Sequence, residues 1–476
     1  MCAETRIRTR ERNGGERRSL FRDTRVLVAI ALVLVLAFAG GSSRPDALQL
    51  LILRPAVVTL GTTLVLLPTA SWQQYRTLLM LLGVFAATMV LQLVPLPPAV
   101  WHAIPGHARF NLVLDSFGAR KIWRPLTVST DGTLNSLIAL TVPFVTLAVM
   151  TQLSADLRNK ALETILLLGA LSMALGVAQI AGSSTSSLYF YEVDANDQLV
   201  GLFANRNHQA AMLAMILPLL RAWTLMPNRS GLNSRPRGFL AAAAGAVVLA
   251  YILVLGSRAG LVLAPIGLLG AFLIKPQFSN PRGWRWKQWA TALGVVAALG
   301  SIFAVVSYAD RSATTNRIAS MQGLHAEGRV EAWPVMLRIA ADVWPFGTGY
   351  GSFVPVFASY EPDAMLTPFY WNNAHNDPLE ILITGGVPGV LALVAFLIWW
   401  LRSSYRALAG GRDIGSLQLL ARSAVFASLI LMLASLVDYP VRTPLLSGVF
   451  TLLCCFLAES GSQSGEMRDP RRRSPI

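Results

Sequence analysis

Residues 376–401 read NDPLEILITGGVPGVLALVAFLIWWL. Asp377 as N-cap, Pro378 at the first helical position and Glu380 at the third form a capping box, which starts a helix here. Beyond Glu380 the run to Leu401 carries no charge and is long enough to cross a hydrocarbon core. Gly385-Gly386 and Pro388-Gly389 interrupt it early. That interruption predicts a broken helix, with a short interfacial piece preceding the span proper.

On either side, eleven further apolar runs of similar kind are expected as spans: 26–41, 54–70, 76–94, 134–152, 161–181, 207–226, 238–256, 259–274, 289–308, 417–437 and 443–458. Arg54, at the edge of the second, reads as a snorkelling boundary residue. The chain is 54% hydrophobic and only 14% charged, against roughly 25% charged in soluble domains. The expected class is therefore all-α: a polytopic integral membrane protein of about twelve transmembrane helices. Its layout is a basic tail (1–25), a bundle of nine spans (26–308), one large outer loop (309–377), three more spans (378–458) and a second basic tail (459–476).

A net charge of +15 would suit nucleic acid if it were clustered, but here it is spread over tails and short loops, the pattern of membrane orientation. With the N-terminus in the cytoplasm, the five inner loops hold 13 Lys/Arg in 59 residues and the outer loops 12 in 143. Both termini are then cytoplasmic and the long loops face outward. The first run follows a basic tail without a small-residue cleavage site, so it reads as an anchor rather than a cleaved signal. Cys2, Cys454 and Cys455 form no disulfide framework or metal-ligand pattern.

The outer loops carry the polar candidates. Residues 95–133 open with Pro95-Leu-Pro-Pro98 and contain Trp101 and Trp123; they read as an extended cap over the bundle, with the two indoles at the membrane–water interface. Arg206 lies in Asn205-Arg-Asn-His208, where Asn207 is the expected N-cap of the sixth span. An arginine beside a helix N-terminus is either an anion seat or an interface anchor. Arg258 sits in a two-residue turn that cannot lift its guanidinium far from the membrane, so it has to meet an anion or snorkel.

In the large loop, Arg329 opens an expected helix whose apolar face is Val330, Trp333, Leu337, Ala340 and Trp344, with Pro334 near its first turn; Arg338 lies on the solvated side. Gly347–Gly351 reads as a tight turn, since no Lys-Ser/Thr follows it. His375 lies just before the tenth span; a free imidazole titrates near neutral pH and can accept a proton from a hydroxyl.

These pieces, in order, resemble the O-antigen ligase and O-antigen polymerase superfamily of bacterial envelope glycosyltransferases. The resemblance rests on Pro95-Leu-Pro-Pro98 with Trp101 and Pro105-Gly106, on Gly201-Leu-Phe-Ala-Asn-Arg-Asn-His208, and on Gly256-Ser-Arg-Ala-Gly260. It continues with Gly328-Arg329, Trp333, Pro345-Phe-Gly-Thr-Gly-Tyr-Gly351, Ala374-His-Asn376 and Gly386-Val-Pro-Gly389. It implies an undecaprenyl-pyrophosphate-linked glycan as donor, transfer at the periplasmic face of the inner membrane, and no metal or other cofactor. Lipid A-core would be the acceptor of a ligase, another lipid-linked chain that of a polymerase, and a protein hydroxyl that of a related branch. It also implies Arg258, Arg329 and His375 as catalytic residues, with Arg206, His208 and Arg311 on the pyrophosphate or glycan. A transporter or lipid flippase is the reading from a different class. It would place ionisable groups near the midplane, whereas here they gather at the outer ends of the apolar runs, and the two halves show no internal repeat.

Overall fold

The computed structural model describes residues 23–67, 72–182, 187–191, 198–227, 234–274, 324–366, 370–409 and 415–466. In chain order the helices are α1 (23–39), α2 (Leu50–Leu66), α3 (Arg76–Gln92), α4 (Pro98–Ala103), α5 (Asn111–Ser116), α6 (Thr130–Ala139), α7 (Thr141–Gln152) and α8 (Ala155–Ala181). They continue as α9 (Arg206–Leu225), α10 (Ser234–Leu255), α11 (Arg258–Leu273), α12 (Leu324–Val343), α13 (Phe353–Ala358), α14 (Asp377–Ala409), α15 (Ser416–Ala434) and α16 (Pro444–Glu466). Eleven of the twelve expected runs fall on these helices; the ninth, 289–308, lies outside the described residues. Six described helical segments are long and apolar enough to cross a membrane: Gln73–Gln92, Thr130–Gln152, Asp156–Ala181, Pro236–Leu255, Asp377–Ala409 and Ser416–Ala434.

The bundle is built around α9, whose residues from His208 to Leu219 are all buried. A helix apolar on every side belongs inside a bundle. It packs on α8, α10, α11 and α15. Its contact with α11 is close: a Cβ on Gly267 would stand 2.5 Å from the backbone oxygen of Ala214. Between helices in lipid, where apolar burial supplies little drive, small residues at such contacts let backbones approach and gain dispersion energy. Many large apolar side chains outside this core, such as Leu51, Leu91, Leu391 and Leu401, are exposed, as lipid-facing positions would be.

The helices α9, α11 and α14 begin at one end of the bundle, and buried arginines cap their carbonyls at the other. Arg422 donates to Ala407 O (3.1 Å), Ile274 O (3.1 Å) and Leu408 O (3.2 Å). Arg237 donates to Met226 O (3.0 Å) and Trp223 O. Cations at helix C-termini satisfy orphan acceptors and oppose the negative end of the dipole.

Over the first end lies a layer formed by residues 95–133 and 324–366. Here β1 (Pro95–Leu96) pairs antiparallel with β2 (Arg124–Pro125). Trp101, expected at the membrane interface, is 4% exposed and donates to Pro125 O (2.9 Å). Two apolar faces compete on α12. Ala332, Met336, Ile339 and Val343 are buried, while Trp333, Leu337 and Trp344 of the expected core stripe are exposed. The helix also starts at Leu324, so Pro334 stands in its interior. Arg338 is exposed, as expected.

The break in α14 is real, and the glycine turn completes it. Gly386 has φ 56° and ψ −151°, a conformation open essentially only to glycine. Pro388 has no N–H for Thr384 O, and Val387 N–H turns away to Pro345 O (2.8 Å). Two carbonyls would be left without donors; Thr348 N–H reaches Ile383 O (3.1 Å) and Gly349 N–H reaches Thr384 O (2.9 Å). Gln92 joins the same seam, donating to Thr384 O and accepting from Tyr350 N–H, both at 2.9 Å. A Cβ on Gly386 would lie 2.4 Å from Pro345 O. Gly386→Ala is therefore expected to cost roughly 1–3 kcal/mol or more, read as a lower melting temperature in detergent. Gly83→Ala, where a Cβ meets nothing within 4 Å, serves as the neutral control.

Candidate functional site

His375 is the only described non-glycine residue with a positive φ, 51°. Such a conformation is costly for a side chain of this size and persists only where surrounding bonds over-determine it. Those bonds are on either side of it in the turn that leads into α14. Asn372 Nδ2 donates to Tyr439 Oη (3.2 Å), and Asn373 Oδ1 accepts from Arg442 Nη1 (2.9 Å). Ala374 N–H donates to Glu380 Oε2 (2.8 Å), and Asn376 Oδ1 accepts from Leu379 N–H (2.9 Å).

The expected capping box is thus rearranged. Asn376 makes the capping bond in place of Asp377, and Glu380 reaches back to Ala374. The cause is Arg442, which draws both carboxylates: its Nε donates to Asp377 Oδ1 (2.6 Å) and its Nη1 to Glu380 Oε1. Burial works against the Arg442 charge, but Glu380 and Asp377 together raise its pKa above the usual arginine range.

Four residues earlier, Asp438 is 2% exposed. Its Oδ1 lies 3.6 Å from His375 Nδ1 and 3.6 Å from His208 Nε2. The same oxygen accepts from Tyr439 N–H (3.0 Å), and Oδ2 accepts from Asn207 Nδ2 (2.8 Å). Burial pushes this carboxyl upward, yet the two imidazoles outweigh that and hold it well below the usual carboxylate range. The Tyr439 ring stands between them, 4.9 Å from His375 and 5.4 Å from His208 between centroids.

Asn207 ties in two more helix starts. Asn205, not Asn207, is the N-cap of α9, accepting from Asn207 N–H (2.8 Å). That leaves the Asn207 side chain to bridge Asp438 and Ser257, whose hydroxyl donates to Asn207 Oδ1 (2.8 Å). Ser257 in turn caps α11 by accepting from Gly260 N–H (3.1 Å). The N-termini of α9, α11 and α14 are in this way joined around one buried carboxylate.

The expected site residues distribute as follows. Arg206 and Arg258 are the first residues of α9 and α11, and both are exposed at this end. His375 is largely buried, its side chain 13% exposed. His208 is 1% exposed, with Asp438 between it and His375. Arg329 lies on α12, which packs against α14; its side chain is not among the described parts. Arg311 lies outside the described residues. Missed altogether were Asp438, Tyr439 and Arg442, in the short turn between α15 and α16. They offered a signal: an acid and an arginine within five residues at the outer end of two apolar runs, the same cue that singled out Arg258.

Residues 242–394, from within α10 to the middle of α14, match a family model described as O-Antigen ligase. That match, over about a third of the chain, supports the O-antigen ligase superfamily. No curated protein matches the chain. The superfamily comprises membrane glycosyltransferases of the O-antigen ligase and polymerase type, whose substrates are lipid-linked glycans. The matched stretch contains Arg258, Arg311, Arg329 and His375. Arg206, His208, Asp438 and Arg442 lie outside it.

Chemically, the arrangement offers two functions side by side. Three helix N-termini and two exposed arginines favour an anion. Asp438, facing His375 Nδ1, favours the tautomer with its proton on that nitrogen, which leaves Nε2 as the acceptor for a hydroxyl proton.

Proposed function

We propose that the protein transfers a glycan from undecaprenyl pyrophosphate to an acceptor hydroxyl at the periplasmic face of the inner membrane, acting as a ligase with lipid A-core as acceptor. The observation that carries this reading is the convergence of the α9, α11 and α14 N-termini around Asp438 and His375 at one end of the bundle. In the reaction, the acceptor oxygen bonds to the anomeric carbon as the carbon–oxygen bond to pyrophosphate breaks. The electron pair leaves with undecaprenyl pyrophosphate, the hydroxyl proton passes to His375 Nε2, and the anomeric centre inverts. Arg258 and Arg329 hold the pyrophosphate as its charge grows, with Arg206 and Arg311 on the same anion or the adjoining glycan. His208 supports the site from behind Asp438. The chain is taken to cross the membrane twelve times, with both termini in the cytoplasm and residues 309–377 as the periplasmic loop.

The test is a deletion strain complemented with wild type, Arg258→Ala, Arg329→Ala and His375→Ala, with its surface glycans resolved on gels. The expected result is lipid A-core without polymer and accumulated lipid-linked polymer in the deletion and in each variant, each variant falling by about 10²-fold or more. Core bearing a single repeat would make the enzyme a polymerase. Unchanged glycans in every strain would overturn the reading.

A further inference from the structure

The row of rings that contains His375 extends beyond it into the loop layer. Phe353 stacks on Phe357 (5.4 Å between centroids), Phe357 lies 5.5 Å from Trp371, and Trp371 meets His375 edge-on at 6.1 Å. Phe353 and Phe357 are buried and fix the position of Trp371, which is itself only partly buried. Glu361 lies close enough to the Trp371 indole for the ring to favour its ionised form. Tyr370, next in the chain, is 58% exposed. A rigid aromatic surface therefore opens beside the candidate base, and its position needs a reason beyond core packing, which Phe353 and Phe357 already supply.

The surroundings narrow what such a surface can hold. Glu361 is partly exposed and Asp363 exposed, so an anionic headgroup would be repelled, and a hydrocarbon tail would lie against carboxylates and the amides of Asn372 and Asn373. A neutral, hydroxyl-rich ring suits both parts: its C–H face packs on an aromatic ring while its rim hydroxyls meet amides and carboxylates. We propose that Trp371 and Tyr370 form the floor of a saccharide subsite, which seats the sugar ring adjoining the reacting bond beside His375. This rests on the glycan-transfer reading and assigns that site a binding surface.

The experiment measures binding apart from turnover. The purified full chain in detergent is titrated with oligosaccharide released by mild acid from the host envelope polysaccharide, observed by saturation-transfer NMR. Trp371→Ala is expected to weaken binding about tenfold and Tyr370→Ala about threefold, while Trp371→Phe, which keeps a ring, stays within about threefold of wild type. Tyr370 is exposed enough that its loss cannot unfold the layer, so it keeps the test decisive if Trp371→Ala is unstable. Wild-type binding by both alanine variants would overturn the subsite and leave glycan transfer standing. Aromatic-dependent binding in a protein whose deletion leaves envelope glycans unchanged would do the reverse.

Discussion

Asp438→Asn is expected to lower glycan transfer about 10²- to 10⁴-fold, the range contributed by a positioned acid–base group. The substitution keeps the side-chain shape, but its single oxygen can serve either Asn207 or Tyr439 N–H where the carboxylate serves both, so a charge and one acceptor are lost together. What disappears is the carboxylate that faces both His375 Nδ1 and His208 Nε2 at 3.6 Å. An amide can present its NH₂ to His375 as readily as its oxygen, and the tautomer that leaves Nε2 free is no longer favoured. The effect should fall on kcat, with KM for the glycan little changed, because Asp438 is buried and cannot touch substrate. His208→Gln should cost less, since it removes only the rear partner.

The pH behaviour follows from the depressed Asp438 pKa. A carboxylate lowered by folding contributes stability above its unfolded pKa, about 4, and loses it only as pH falls through the lower folded value. Asp438 is thus ionised throughout the neutral range and contributes no activity transition there. Asp438→Asn membranes with more than half of wild-type transfer would exclude it from the mechanism.

How much of this could be read in the chain depends on distance along it. The helices were legible because an apolar run of roughly 20 residues is a local property. So was the break in α14, since Gly385-Gly386 and Pro388-Gly389 cannot sustain a straight helix. The face of α12 was not. It carries two apolar stripes, and periodicity alone cannot say whether Met336 or Leu337 turns to the core. His375, Arg206 and Arg258 stood out as polar residues at the ends of apolar runs. The buried carboxylate at the centre of the site did not, because Asn207 and Asp438 are 231 residues apart and nothing local announces that pairing. The capping residues show the same limit from the other side. Asp377 is a sound N-cap by local chemistry, and Asn207 likewise, but each is drawn off by a tertiary partner and its cap passes to a neighbouring asparagine.

Arg442→Met is the substitution expected to disturb the protein most, and its cost comes from the residues left behind. Arg442 alone spans Asp377, Glu380 and Asn373; the Glu380 side chain is 4% exposed and that of Asp377 15%. Removing the guanidinium, whose side chain is 31% exposed, leaves two closely spaced carboxylates without their counter-charge, at a cost below the about 3–5 kcal/mol of a fully buried pair. The same loss frees Asn373, and the bonds that hold His375 at φ 51° no longer over-determine it, so transfer should fall together with the melting temperature. Arg442→Lys keeps the charge but gathers its donors on one nitrogen, which cannot stand at the Nε and Nη1 positions at once, and should recover part of the stability and little of the activity. The double variant Arg442→Met/Glu380→Gln separates the causes. If stranded charge dominates, neutralising Glu380 restores stability while transfer stays low, because the turn is still unpinned. If Arg442→Met melts within about 2 °C of wild type, the guanidinium is not what holds the histidine turn, and the strain at His375 must be maintained by the bonds of Asn372, Ala374 and Asn376 to Tyr439, Glu380 and Leu379.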